Sequence, residues 1–197
     1  SPASKGKKKR SKKKTSSSPL RQWWQEKSPI LRYGLLFFLL LGLFYAFYFS
    51  AWYNEHLLPL VIGWQTQVSS FLLNLLGYGT QVSGISTISG SGYSVNLKNG
   101  CDGLEAIALF CIALICIPLK WRYKWQGILA GIGILLVLNL LRIVALFLTG
   151  IHWPAAFDFL HLHGGFVIFT LVSLLLVMIW AGWAIQQQKK ETHAAMA

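Results

Sequence analysis

The sequence predicts an all-α membrane protein: a four-span transmembrane helix bundle carrying an external amphipathic helix and a small β-hairpin. Three observations carry that expectation. Hydrophobic residues make up 54% of the 197 residues and charged ones 12%, with mean hydropathy +0.51, which excludes an ordinary soluble domain. Four apolar stretches each reach the ~17–25 residues that a membrane helix needs. Basic residues cluster in the tails and in one loop, where an even number of spans places the cytoplasm.

The elements follow in order. Residues 1–29 form a polybasic cytoplasmic tail, with eight of the eighteen basic residues between Lys5 and Lys14. That tract has no apolar residue around which to build a core, so it is expected to be disordered and to touch anionic lipid. No aromatic residue interleaves the lysines to stack on bases, so the net charge of +12 does not mark a nucleic-acid binder. The transmembrane domain covers 30–186. Its first span, Leu31 to Tyr53, is too long and too aromatic for a signal-peptide core and is expected to be a retained anchor. Trp23 and Trp24 before it, and Trp52 and Tyr53 at its end, suit the two interfaces.

Between Leu57 and Leu76, Leu57, Leu60, Val61, Trp64, Val68, Phe71, Leu72 and Leu75 recur at helical spacing, while Gln67, Ser69, Ser70 and Asn74 take other positions. Pro59 suits a first helical turn. Counting this segment as a span would push Lys120–Lys124 outside, so it is expected to be an amphipathic helix on the outer leaflet or against the bundle. Ile85–Ile88 and Tyr93–Leu97, joined by Gly90-Ser91-Gly92, predict an external β-hairpin that runs into Asn99-Gly100-Cys101. The remaining spans are Gly103–Leu119, Gln126–Gly150 and Gly165–Ile185, followed by a cytoplasmic tail over 187–197. The loops 54–100 and 151–164 hold one Lys between them and are placed outside.

Arg142 is the only charged residue between Lys124 and Asp158. A guanidinium cannot shed its proton, and carrying it inside a span costs at least ~2.5–3.5 kcal/mol, so its charge must be used. It lies about 12 Å below the outer end of its span at 1.5 Å per residue. Asn139, one turn deeper on the same face, can hold it through its side-chain carbonyl. Cys101 stands at the start of the second span, on the same side of the membrane. Unpaired N–H groups and the helix dipole favour thiolate there. The N–H groups of Asp102, Gly103 and Leu104 could receive an oxyanion, and Gly103 removes a side chain from that approach. Asp102 opposes thiolate formation. A structural alternative pairs Arg142 with Glu105, and makes Cys101 an incidental cap residue. His161 and His163 lie on the outer loop before the last span, where an imidazole can take a thiol proton and return it to a leaving amine. Cys111 and Cys116 sit inside an apolar helix as small hydrophobes. The three cysteines match neither a disulfide framework nor a zinc site, and no cofactor or metal is expected.

Asn99-Gly100-Cys101-Asp102-Gly103-Leu104-Glu105, then Asn139-Leu140-Leu141-Arg142-Ile143-Val144, then the segment around His161, resemble the exosortase/archaeosortase transpeptidases over roughly residues 30 to 186. The Cys-x-Gly-Leu-Glu form and the small size look most like the exosortase H branch. Asp102 departs from the small polar residue common after the nucleophile, and Gly164-Gly165-Phe166 from the aromatic pattern after the histidine. The resemblance implies Cys101 as nucleophile, Arg142 as stabiliser of substrate or oxyanion, and His161, with His163 as the alternative, as acid/base. It implies as substrate a secreted protein with a C-terminal motif of the PEP-CTERM kind, a membrane helix and a basic tail, passed through a thioester to an unknown acceptor. It implies a bacterial inner-membrane enzyme with both termini cytoplasmic and the site on the outer face. The non-catalytic alternative is a membrane scaffold or anion-binding subunit in which Arg142 holds a lipid headgroup or a carboxylate.

Overall fold

The computed structural model describes residues 19–161 and 167–196. Helix α1 covers Pro19–Tyr48 and is followed, after a bend at Ser50, by a π-helical turn over Tyr53–Leu57 that leads into α2, Leu58–Leu75. Three short strands follow: β1 Gln81–Ser83, β2 Thr87–Gly90 and β3 Tyr93–Asn96. Helices α3 (Leu104–Cys116), α4 (Trp121–His152), α5 (Pro154–Phe159) and α6 (Phe169–Met196) complete the chain.

Among the described residues, three helical segments are long and apolar enough to cross a membrane: Leu31–Tyr48 in α1, all of α4, and α6. The expected second span is shorter than the sequence implied. Helix α3 has 13 residues, about 20 Å at 1.5 Å per residue, because Ile117 turns to the extended conformation that a following proline, Pro118, favours. The first span also ends earlier than expected, at Tyr48 rather than Tyr53, since Ser50 breaks the helix. Helical structure reaches beyond the expected limits at both ends, starting at Pro19 within the expected tail and running on to Met196. Residues 1–18, which carry the lysine tract, lie outside the described residues.

Two packing centres divide the molecule. The bundle is built by α3, which packs against α1, α4 and α6, with Ile107, Phe110, Leu114, Leu135, Val177 and Ala184 buried between them. Gly131 lets Phe110 lie flat against α4, since an added Cβ would stand 2.0 Å from its ring; small residues of this kind bring membrane helices close. At one end of the bundle Glu191 of α6 pairs with Lys120 at 2.7 Å and accepts from the Tyr123 hydroxyl at 2.6 Å, tying the last helix to the start of α4. At the other end sits a head formed by α2, the sheet and the last turns of α4, whose core holds Ile62, Leu73, Ile88, Val95, Leu97, Ile143 and Phe147. From Lys124 to Arg142 the helix rises about 27 Å, close to the ~30 Å thickness of a hydrocarbon core.

The sheet has one strand more than the expected hairpin. Its order is β1-β2-β3, antiparallel throughout, with Val82 opposite Ile88 and Ile88 opposite Val95. The expected amphipathic helix is present as α2, but polar residues are among those turned inward, while Gln67 and Asn74 stay exposed. Gln65, Thr66, Ser69 and Ser70 are buried, while Leu60, Trp64, Phe71 and Leu75 are exposed. Most of the inward polar groups have partners: Gln65 reaches the loop before α3, Ser70 shares a 2.8 Å hydrogen bond with Thr80, and Thr66 donates to Ile62 one turn back. An outward apolar face is what lipid, rather than water, makes favourable.

Candidate active site

The segment from Gly100 to Gly103 is a tight bend held from every side. Gly100 and Gly103 both have positive φ, at 92° and 72°, and Gly103 forms the N-cap of α3. Cys101 therefore lies two residues before that cap, not on it, and is 6% exposed within the head core. Its N–H donates to the Lys98 carbonyl at 2.9 Å. Its own carbonyl accepts 2.9 Å from Asn139 Nδ2.

Asn139 is fully buried on α4 and joins three partners. Besides the Cys101 carbonyl, Nδ2 donates to Gln65 Oε1 at 3.3 Å, and Oδ1 accepts from an Arg142 terminal nitrogen at 3.2 Å. Gln65 in turn donates through Nε2 to the Asp102 carbonyl at 2.8 Å. One amide thus links the cysteine loop, the α2 helix and the arginine. A Cβ on Gly103 would stand 2.8 Å from Asn139 Cγ, so this contact requires glycine.

Asp102 is also fully buried, and its carboxylate is turned onto two phenols. Tyr48 at the end of α1 donates to Oδ1 at 3.0 Å, and Tyr53 in the π-helical turn donates to Oδ2 at 2.5 Å. Leu104 N–H adds a longer contact to Oδ1 at 3.4 Å, and the Tyr48 oxygen also accepts from Gly100 N–H at 3.0 Å. Burial first, then the Asp102 carboxylate, push the Tyr53 hydroxyl well above its ordinary pKa, so it remains a donor. The carboxylate expected to oppose a Cys101 thiolate is thus engaged by two phenols and a backbone N–H.

Among the described residues Arg142 makes no ion pair, with Glu105 or any other acid. Its guanidinium lies 5.3 Å from the centre of the Phe169 ring on α6, a cation–π distance, and its Nε is buried without a partner. Arg142 and Phe169 form the wall common to two cavities. A small polar one, about 40 Å³, is lined by Gly100, Gly103, Glu105 and Thr170 as well. The other, apolar and about 180 Å³, is bounded by Ala145, Leu146, Thr149, Leu160 and Ile168. Glu105, in the first turn of α3, therefore faces the same small cavity as Arg142 without pairing to it.

His161 follows α5, and its ring stacks on Phe157 at 5.5 Å with 6° between the planes. Its Nδ1 is buried and has no partner among the described residues. Leu160 beside it lines the apolar cavity, but no hydrogen bond joins His161 to Cys101 among the described residues. The structure thus brings Gly103, Glu105 and Arg142 to one small cavity and ties the Cys101 loop to Arg142 through Asn139, while His161 is placed by its stack on Phe157 and next to Leu160 of the apolar cavity. The alternative, His163, lies outside the described residues, as do Gly164 and Gly165.

The transmembrane exosortase (EpsH) family matches residues 30–178, a stretch that contains the cysteine loop, the Asn139–Arg142 pair and His161. The chain belongs to the transmembrane exosortase family. Neither a curated protein nor a solved structure matches it. Family membership supports a membrane transpeptidase-type role in general. For this exosortase the site contains four residues that the sequence pattern did not single out: Tyr48, Tyr53, Gln65 and Phe169. Tyr53 was legible as an interfacial aromatic, and Gln65 was not singled out at all; the helical pattern revealed no partner 37 or more residues away.

Proposed function

We propose that this exosortase is a membrane cysteine transpeptidase that cleaves the C-terminal sorting signal of secreted proteins. The observation that carries the reading is the single Asn139 side chain bonded to both the Cys101 carbonyl and the Arg142 guanidinium, which ties the cysteine loop and a cation together beside a small cavity lined by Gly100, Gly103 and Arg142. The Cys101 sulfur attacks the substrate carbonyl carbon, and the developing oxyanion is met by the α3 N-terminal N–H groups and Arg142. The carbon–nitrogen bond breaks, and His161 transfers the thiol proton to the leaving amine. An acceptor amine or water then attacks the thioester and releases Cys101. The apolar cavity beside Phe169 suits a hydrophobic side chain of the motif.

The substrate carries its motif ahead of a membrane helix and a basic tail, which lie beside the bundle. Helix α3, extended by Ile117–Leu119, serves as a fourth crossing from the site to the Lys120–Lys124 collar. Both termini are then cytoplasmic and the site opens on the outer face of the inner membrane. The exposed Trp121 and Trp125 beside the collar suit that inner interface. The N-terminal lysine tract adds contact with anionic lipid.

The test is processing in cells that co-express a secreted protein with such a signal. Cys101→Ala and Cys101→Ser abolish the size shift of the substrate, while Cys111→Ala and Cys116→Ala retain it. Continued processing by Cys101→Ala removes the nucleophile and with it the reading.

A further inference from the structure

Two buried carbonyls precede α3, and both are occupied from the same quarter. Asn139 holds the carbonyl of Cys101, Gln65 holds that of Asp102, and the two amides bond to each other. In a trans peptide the N–H lies opposite the C=O. Fixing these two carbonyls therefore turns the N–H groups of Asp102 and Gly103 away from the amide pair. Among the described residues neither N–H has a hydrogen-bond partner, although the N–H groups of Gly100 and Cys101 on one side and of Leu104 on the other are engaged. Gly103 lines the small cavity that Arg142 closes.

We infer that Gln65, on α2, is a positioning residue: through the Asp102 carbonyl and Asn139 it aims the Asp102 and Gly103 N–H groups at the oxyanion formed on attack by Cys101. The inference rests on Cys101 being the nucleophile. Gln65 touches no substrate. It is 1% exposed and comes from an element that contributes no other group to the site. An amide suits this task because it donates to one carbonyl while accepting from Asn139, which no hydrophobic residue of its size can do. Packing alone does not account for it, since an uncharged polar side chain costs stability in a core unless both ends are bonded.

Two reagents separate aiming from mere support. In a background of Cys111→Ala and Cys116→Ala, p-nitrophenyl acetate acylates Cys101 through an oxyanion, with release of p-nitrophenolate. Iodoacetamide alkylates the same sulfur at a saturated carbon, releases iodide and forms no oxyanion. With protein in lipid nanodiscs, Gln65→Leu lowers the acylation rate by roughly 10- to 100-fold, short of the ~10²–10³ seen when an oxyanion donor is deleted outright. The alkylation rate stays within about twofold, because the thiol itself is not changed. Gln65→Glu is the second variant. Its ionised carboxylate cannot donate to the Asp102 carbonyl, and its protonated form can. The ratio of acylation to alkylation, in which the thiolate fraction cancels, therefore recovers toward wild type as the pH falls. If Gln65→Leu does not fold, this pH recovery alone decides. Equal rates to wild type with both reagents overturn the inference, as does a parallel fall of both rates or a Gln65→Glu ratio that ignores pH. Wild-type Cys101 that takes up neither reagent overturns the nucleophile assignment first, and the inference with it.

Discussion

Replacing Gly103 by alanine tests whether the site depends on contact between the cysteine loop and α4. The backbone there has φ of 72°, a left-handed conformation that costs an L side chain roughly 1–2 kcal/mol. The new Cβ would stand 2.8 Å from Asn139 Cγ, and carbon atoms pack at about 3.5 Å, so Asn139 must retreat by roughly 0.7 Å. A 2.9 Å bond to the Cys101 carbonyl lengthened by that much is no longer a hydrogen bond. Overpacking of this kind adds roughly 1–3 kcal/mol, for a total of about 2–5 kcal/mol. Displacing a catalytic group by about 1 Å costs on the order of 100-fold in rate. The assay is acylation of Cys101 by p-nitrophenyl acetate, with unfolding followed by tryptophan fluorescence in nanodiscs. Gly133→Ala is the control, since nothing lies within 4 Å of a Cβ at that helical position, and it should be neutral or slightly stabilising. Wild-type acylation and unfolding by Gly103→Ala would refute the proposed coupling between the loop and Asn139.

Arg142→Lys keeps the charge but loses the fork that bonds Asn139 while stacking on Phe169, so both Arg142→Lys and Arg142→Ala should lose most processing yet accumulate normally in the membrane; wild-type turnover by Arg142→Ala would leave the site without a cation. Tyr53→Phe removes a hydrogen bond to a buried carboxylate, worth about 1.5–3 kcal/mol, and a double-mutant cycle with Asp102→Asn should recover a coupling of that size in unfolding measurements. A single cysteine introduced near Arg122 should resist impermeant maleimide in intact cells, whereas one at Trp153 should react; labelling near Arg122 from outside would reverse the membrane orientation.

The bundle was legible because apolar length and basic clusters are local signals. Helices α1, α4 and α6 appear where the stretches around Leu39, Leu136 and Leu175 announced them. The pairing of Asn139 with Arg142 was legible too, since three residues on one helix face need no knowledge of the tertiary fold. Helix α3 came out short because a single Pro118 outweighs an otherwise continuous apolar run. Strand β1 was missed because Gln81-Val82-Ser83 is too brief to show alternation, and it is paired only through Ile88 and its neighbours. The face of α2 was hidden for a different reason. Hydrophobic periodicity identifies a helix in either solvent, but only knowledge of what surrounds it decides which stripe turns inward. Gln65 and the two tyrosines could be assigned only once Asp102 was known to lie between them.

The inverted sides of α2 bear on how the protein can be handled. Leu60, Trp64, Phe71 and Leu75 face outward, while Gln65, the amide that grips the cysteine loop, faces in with Thr66, Ser69 and Ser70. In water this helix would gain by rolling over, burying its oily stripe and wetting Gln65. The surrounding acyl chains, then, act as the outer layer of the site's scaffold. A head fragment freed of its membrane helices would be expected to lose the cysteine loop's geometry before it lost its helicity, and a detergent that strips annular lipid should silence the thiol while circular dichroism still looks native.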